Sequence, residues 1–273
     1  MLADRDCDLR LTRVLEIAGG RSLTHRPHCL YVSAVARPRY PSKNEPLPPA
    51  LPPSSRPVGQ VVAEAIRLYQ ANFSKALALG LPVAVVDQLI VDRSLGVRIV
   101  VLLAASPVFS ATYAWASAIR QGETPPLGTW LVAVAVGVVT FLPAAFLFGW
   151  FAIAAVLWLG VAGHAVPAAM AERLGPLAAL RRTVELGRAD YVHAAGSFAT
   201  LALLFGLTRL ALGLLLQSQA DNTVRVAVFL ADVVISPLLF LGAAIVYVDL
   251  AARVGLSRKE RRRLREAALG RPK

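Results

Sequence analysis

The chain has 273 residues, of which 56% are hydrophobic and only 17% charged, and it carries a formal net charge of +12. A soluble domain normally has about a quarter charged residues, so the composition excludes an ordinary soluble domain. The positive excess sits in the tails and beside apolar runs, which points to anionic lipid headgroups; with no aromatic-studded basic platform, no nucleic-acid partner is expected.

Residues 1–55 are mixed, Pro-rich towards their end and without sustained periodicity, which predicts a disordered N-terminal tail. An alternative is an over-extended gene start. The chain's two cysteines, Cys7 and Cys29, lie here with His25 and His28. Their spacing fits no common zinc finger, and no metal or other cofactor is expected.

From Pro57 the pattern changes. Val58, Val61, Val62, Ala65, Leu68, Tyr69 and Phe73 recur at helical spacing while Gln60, Glu64, Arg67 and Lys75 face elsewhere. Ser55 and Pro57 are its start signals. The expected element is an amphipathic helix on the membrane surface, the alternative a helix packed on neighbouring protein.

Six membrane spans follow, at about residues 75–92, 97–119, 129–148, 150–171, 192–216 and 224–249. Pro82 is a tolerated kink in the first. Tyr113 and Trp115 read as interfacial anchors of the second. Between Leu127 and Ala171 there is no Asp, Glu, Lys or Arg; as one helix this block would be about 65 Å long, far beyond a bilayer core of roughly 30 Å. It therefore divides, near Phe148–Gly149–Trp150, with Pro143 and Gly149 as breakers.

After Glu172 comes a short amphipathic helix in which Leu177, Leu180 and Val184 share one face and Arg181, Glu185 and Arg188 another, with Glu185 placed to pair with Arg181 or Arg188. Gly255 ends the sixth span, and Ser257 with Glu260 forms a capping box that restarts helix in a basic tail, residues 257–273. The fold class is thus all-α: a polytopic bundle of six transmembrane helices with short amphipathic surface helices.

Orientation follows from the basic residues at each boundary. Placing both termini inside puts Arg67, Lys75, Arg120, Arg173, Arg181, Arg182, Arg188 and the basic tail on the cytoplasmic side, and only Arg93, Arg98 and Arg225 outside. A multi-pass plasma-membrane protein with cytoplasmic N and C termini is expected.

Three stretches carry a family resemblance. Arg56–Pro57–Val58–Gly59 with Glu64 to Tyr69 and Asn72–Phe73 comes first. Ala165–Val166–Pro167, Glu172, Gly175–Pro176 and Ala179 to Thr183 with Glu185–Leu186 follow, and Tyr247, Asp249, Leu250, Arg253 and Gly255 close the region. In this order they resemble the bacterial and archaeal glycerophosphoryl diester phosphodiesterase membrane-domain-like proteins over residues 56–256. Thr183, Ala189, Ala251 and Val254 depart from the family pattern, where Ser, Gly, Arg and Glu are usual. The resemblance implies a six-helix membrane module, fused in some relatives to a soluble phosphodiesterase domain. It singles out Pro167, Glu172, Arg181 and Arg182 at the cytoplasmic boundary and Tyr247, Asp249 and Arg253 in the closing motif.

Enzyme chemistry is not expected. A phosphodiesterase barrel needs roughly 250 residues of alternating strand and helix, and the chain has no phosphate loop, zinc-protease helix or serine elbow. Ionisable residues inside spans are costly and so are candidates. Arg209 and Asp232 come out at similar depth, about 10–12 Å from the outer surface at 1.5 Å per residue, and are expected to pair, with Asp87 close enough to join. His164 and His193 read as helix-interface hydrogen-bonding groups, and Asp249 and Arg253, four apart, as a local pair. Prolines at 82, 107, 143, 167 and 237 offer kinks in five spans.

The expected function is a non-enzymatic membrane module that organises protein partners, a second copy of itself or lipids. The alternative is a small-solute or lipid transporter using the intramembrane charges, and a third is an enzyme acting on lipid phosphodiesters.

Overall fold

A computed structural model of the chain describes residues 51–257 together with Lys259, Glu260, Arg262, Arg263 and Glu266. The four residues of the zinc reading, the tail up to residue 50 and most of the basic C-terminal segment lie outside the described residues. Within them the protein is helical: α1 (Val58–Ala71), α2 (Phe73–Ala78), α3 (Leu81–Ile90), α4 (Leu95–Gln121), α5 (Leu127–Trp150), α6 (Ala152–Ala162), α7 (Ala165–Glu172), α8 (Pro176–Leu215), α9 (Asp221–Ile235) and α10 (Pro237–Ala251).

Six stretches are long and apolar enough to cross a membrane: Phe73–Ile90, Leu95–Gln121, Leu127–Trp150, Ala152–Glu172, Pro176–Leu215 and Asp221–Ala251. Their outward faces expose large apolar side chains such as Val100, Leu131, Leu203, Leu207 and Leu210. Hydrocarbon suits such a surface, and every helix satisfies its backbone internally, as a bilayer demands. This is a membrane protein by architecture. The chain alternates between two ends, one bearing α1, the start of α8 and the end of α10 (the α1 end), the other bearing the α3–α4 and α8–α9 connections (the far end).

Inside the bundle small residues bring helices into close contact around larger buried side chains such as Leu79, Met170 and Leu241. Gly160 sits so close to α8 that an added Cβ would lie 3.0 Å from Ala195 Cα, and a Cβ on Gly80 would lie against the Val233 carbonyl. Lipid tails are as apolar as leucine, so close approach of small residues holds membrane helices together. α10 occupies the middle: eleven of its 15 residues are buried, and it packs on α1, α4 and α8. Buried hydroxyls turn back on their own helices, as Ser110 does to the Ser106 carbonyl and Thr183 to that of Ala179, which satisfies them locally.

Three spans are interrupted just before a proline while keeping helical backbone angles. The first breaks at Leu79–Gly80, the fourth at Gly163–His164 and the sixth at Ser236. Pro82, Pro167 and Pro237 each fall in the first turn after the break, where a missing N–H costs nothing. Pro107 and Pro143 lie inside continuous helices. Pro143 and Gly149 therefore break nothing. The chain turns at Phe151 (φ −144°, ψ 90°), and Gly149 is instead the place where Ile99 packs, 2.6 Å from a would-be Cβ.

The surface helix after Glu172 joins the fifth span without a loop, through a kink at Asp190 (φ −163°, ψ 75°). α1 is packed on protein along one stripe: Val61 and Ala65 are fully buried in one cluster with Leu186, Ala194, Ile245 and Leu250. Residues 51–55 are not part of a disordered tail, because a 3-10 turn at Pro53–Ser55 rests on α10. Ser55 does not cap α1, since its hydroxyl donates to the Pro52 carbonyl. Tyr113 is no interfacial anchor either. It is 2% exposed and packs on Phe141 and Phe240, while Trp115 stays exposed. Gly255 takes a positive φ of 80° past the sixth span. The expected capping box is formed: Ser257 N–H donates to Glu260 at 2.7 Å and Glu260 N–H to Ser257 Oγ at 3.2 Å. These hydrogen bonds hold the Glu260 carboxyl below the usual carboxylate range.

Candidate functional site

Two polar constellations stand out, one towards the far end and one at the α1 end. The first brings together all three intramembrane charges singled out in the sequence. Asp87 lies in the last turn of α3, Arg209 in the last two turns of α8 and Asp232 near the end of α9. Arg209 donates Nη1 to Asp87 Oδ1 at 2.7 Å and Nη2 to Asp87 Oδ2 at 2.8 Å. Asp232 Oδ2 is 3.6 Å from the same Nη1. The close partner of Arg209 is thus Asp87, with Asp232 as the flanking carboxyl, because the break at Gly80 carries α3 inward against α9.

That break is matched by another. Gly80 abuts the Val233 backbone, and Ser236, at the break of the sixth span, donates Oγ to the Asp232 carbonyl at 2.6 Å and reaches the Gly80 carbonyl at 3.5 Å. Both interruptions keep helical backbone angles, so they bend the spans beside a buried charge without unwinding them. The guanidinium also lies over the Phe205 ring at 5.7 Å, a cation–π contact that helps an arginine tolerate apolar surroundings. Towards the far surface, Gln88 Nε2 donates to the Arg225 carbonyl at 3.4 Å, and Arg225 pairs with Asp92 at 2.6 Å.

At the α1 end the three motifs interlock. Arg56 pairs with Asp249 at 3.2 Å and donates Nε to the Leu51 carbonyl. Arg253 pairs with Asp190 at 2.8 Å and donates to the Arg56 carbonyl at 2.7 Å. The local Asp249–Arg253 pair is therefore replaced by cross-helix partners for each. His193 Nε2 faces Asp249 Oδ2 at 3.6 Å, and Asp190 also accepts the His193 N–H, capping the helix restarted after the kink.

A second arm of this network joins Tyr247, whose hydroxyl donates to Glu172 at 2.8 Å, to Arg182, which spans Glu172 and Glu185 at 2.9 Å each. Glu185 takes Arg182 rather than Arg181 or Arg188. Pro167 opens no polar contact; it is buried in α7, whose residues Ala165–Met170 are all buried. His164 is fully buried at the break of the fourth span, 5.6 Å from Phe198, and neither ring nitrogen makes a hydrogen bond among the described residues.

Beside this network an open cleft of about 560 Å³ is lined by Glu172, Leu174, Leu177, Ala178, Arg181, Arg182 and Glu185. Arg182 is engaged by two glutamates; Arg181 is exposed on the rim. Sequence reasoning missed Arg56 and Asp190 as members of the network. Arg56 lay in a motif read for its pattern alone, and no sequence signal singled out Asp190.

In comparisons with known proteins, no protein-family model, no curated protein and no solved structure matches this chain.

Proposed function

We propose that the chain is a non-enzymatic membrane module of the glycerophosphoryl diester phosphodiesterase membrane-domain-like family, seated in the plasma membrane with its α1 end in the cytoplasm, where it engages anionic lipid headgroups and partners. One observation carries the reading: polar residues from all three sequence motifs pair with one another at one end of the bundle. Arg56 meets Asp249, and Glu172 meets Tyr247 and Arg182. Side chains locked in mutual ion pairs build a rigid rim rather than offer free acids, bases or nucleophiles. Next to that rim the exposed Arg181 and Arg188 are available to headgroups.

The test is lipid retention. Full-length protein extracted from a bilayer of mixed anionic and zwitterionic phospholipid should keep anionic lipid, as read by native mass spectrometry. The Arg181→Glu/Arg188→Glu variant should keep several-fold less. Equal retention of both lipid classes by the unmodified chain would count against the reading.

A second reading, small-solute or lipid transport, draws on the facing breaks at Gly80 and Ser236 beside the Asp87–Arg209–Asp232 cluster. Gradient-driven solute uptake into vesicles holding the purified chain would favour it.

A further inference from the structure

The formal charges of the intramembrane cluster do not balance: Asp87 and Asp232 bring two negative charges and Arg209 one positive. Arg209 spends both terminal nitrogens on Asp87, at 2.7 and 2.8 Å. Asp232 is 0% exposed, and neither of its carboxyl oxygens takes part in a hydrogen bond with any described residue. The nearest cationic atom, Arg209 Nη1, is 3.6 Å away. Ser236, the neighbouring hydroxyl, turns to the Asp232 backbone carbonyl instead.

A buried anion without donors is strongly disfavoured and takes up a proton. A like charge beside a carboxylate disfavours its ionised form. Asp87 Oδ1 and Asp232 Oδ2 face the same guanidinium nitrogen, at 2.7 and 3.6 Å, so the two carboxyls are neighbours around Arg209 Nη1.

The elements around the cluster supply no second cation to it. Arg225 on α9 is held by Asp92 at 2.6 Å. Arg98 on α4 donates to the Arg93 carbonyl at 2.8 Å, and both are exposed at the far end. Lys75 on α2 is exposed at the opposite end of the first span. Between the cluster and the far surface stands Gln88, bonded to the Arg225 carbonyl. Gln88 thus joins the stretch of α3 beside Asp87 to the exposed Asp92–Arg225 pair.

We propose that Asp87 and Asp232 form a proton-binding site, one proton shared by two carboxyls beside Arg209 and exchanged with the far surface past Gln88. The ligand is a proton taken from water. Loading converts a carboxylate pair into a carboxylic acid–carboxylate pair and brings the cluster to neutrality with the guanidinium, and no other bond forms or breaks. The site is independent of the α1-end reading and gives the bundle a ligand of its own.

Infrared difference spectroscopy of the full chain in lipid nanodiscs, stepped in pH, tests it. The unmodified chain should show the carbonyl band of a protonated carboxyl at neutral pH that vanishes on alkalinisation. The band should shift in a chain carrying carboxyl-labelled aspartate, which assigns it without any substitution. Asp87→Asn and Asp232→Asn should each lose it, because one remaining carboxylate is matched by Arg209. Gln88→Leu should keep the band and slow its response to heavy water.

Absence of an aspartate band in the unmodified chain at neutral pH would overturn the site. Loss in Asp232→Asn with full retention in Asp87→Asn would overturn the sharing. Unchanged exchange in Gln88→Leu would overturn the route.

Discussion

Arg209 closes on Asp87 with two parallel hydrogen bonds of 2.7 and 2.8 Å, tying the fifth span to the first across 122 positions of sequence. Bidentate geometry is the strongest form of this pair, and it lies where water competes poorly. Removing the cation should hurt more than removing either acid, because Arg209→Ala leaves two carboxyls with no counter-charge. With Arg209 31% exposed, a cost of about 3 kcal/mol is expected, the low end for a broken buried pair. Thermal unfolding in detergent reads it. The Arg209→Asp/Asp87→Arg exchange should recover part of the loss, and the same exchange with Asp232 should recover less; equal recovery would remove the distinction between the two partners.

Gly80 and Gly242 separate two kinds of tight contact. A Cβ at Gly80 would strike the Val233 carbonyl and lie 2.8 Å from its Cα, all backbone, whereas at Gly242 it would meet Leu201 Cδ1 at 2.6 Å. A leucine tip can rotate away; the backbone of α9 cannot. Overpacking costs about 1–3 kcal/mol, so Gly80→Ala should fall at or above the top of that range and Gly242→Ala near the bottom. Comparing their unfolding midpoints checks this, and a larger loss for Gly242→Ala would contradict the close approach of the two broken spans.

Every span bound except the start of the fifth was legible in the sequence to within three residues, because hydropathy marks apolar runs; the fifth helix begins at Pro176 and matches the expected start only when counted from the kink at Asp190. The pairing of Arg209 was legible in part. Depth along each span put Arg209 and Asp232 level, and they form an ion pair at 3.6 Å, but that Asp87 is the closer, bidentate partner depends on helix rotation, which spacing does not convey. The same limit hid the cross-helix partners of Asp249 and Arg253. Spacing of four on one helix suggests a local pair, yet the Arg56 guanidinium is delivered from 193 positions away. Gly149 and Pro143 looked like punctuation because composition cannot tell a turn glycine from a packing glycine.

Tyr247 and Glu172 offer a milder probe of the α1-end rim. The Tyr247 hydroxyl donates to Glu172 at 2.8 Å, and Tyr247 is 6% exposed. Tyr247→Phe removes only that hydroxyl, and a hydrogen bond to a charged group is worth about 1.5–3 kcal/mol. Arg182 still holds Glu172 at 2.9 Å, so the low end is expected. Glu172→Gln should cost more, because it weakens the bonds to Tyr247 and Arg182 together. A double-mutant cycle should show coupling between positions 172 and 247; additivity would mean the hydroxyl contact contributes nothing.

Asp190 performs two tasks at the kink of α8: one oxygen accepts the His193 N–H at 3.2 Å and the other pairs with Arg253 at 2.8 Å. A cap alone is worth about 1 kcal/mol, so Asp190→Ala should exceed that. Asp190→Asn keeps an acceptor for the cap and gives up the charge, and should fall between the two. Thermal unfolding ranks the three proteins; indistinguishable Asn and Ala variants would mean that the ion pair, not the cap, sets the kink.

Charge that the fold sorts between its two ends predicts an orientation for the bundle. Arg67, Arg120, Arg173, Arg181, Arg182 and Arg188 belong to the helices and connections of the α1 end, and Arg93, Arg98 and Arg225 to those of the far end. Basic residues near span ends are retained on the cytoplasmic side, and acidic ones contribute little, so Asp92 beside Arg225 does not alter the bias. In a chain with Cys7 and Cys29 replaced by serine, a cysteine at Ser94 should react with a membrane-impermeant maleimide in intact cells. One at Gly122, whose φ of 73° closes the second span, should react only after the membrane is opened; because that conformation favours glycine, a cysteine at the exposed Glu123 provides an unstrained control. Labelling of Gly122→Cys and Glu123→Cys, but not Ser94→Cys, in intact cells would invert the assignment and place the Arg181 cleft outside.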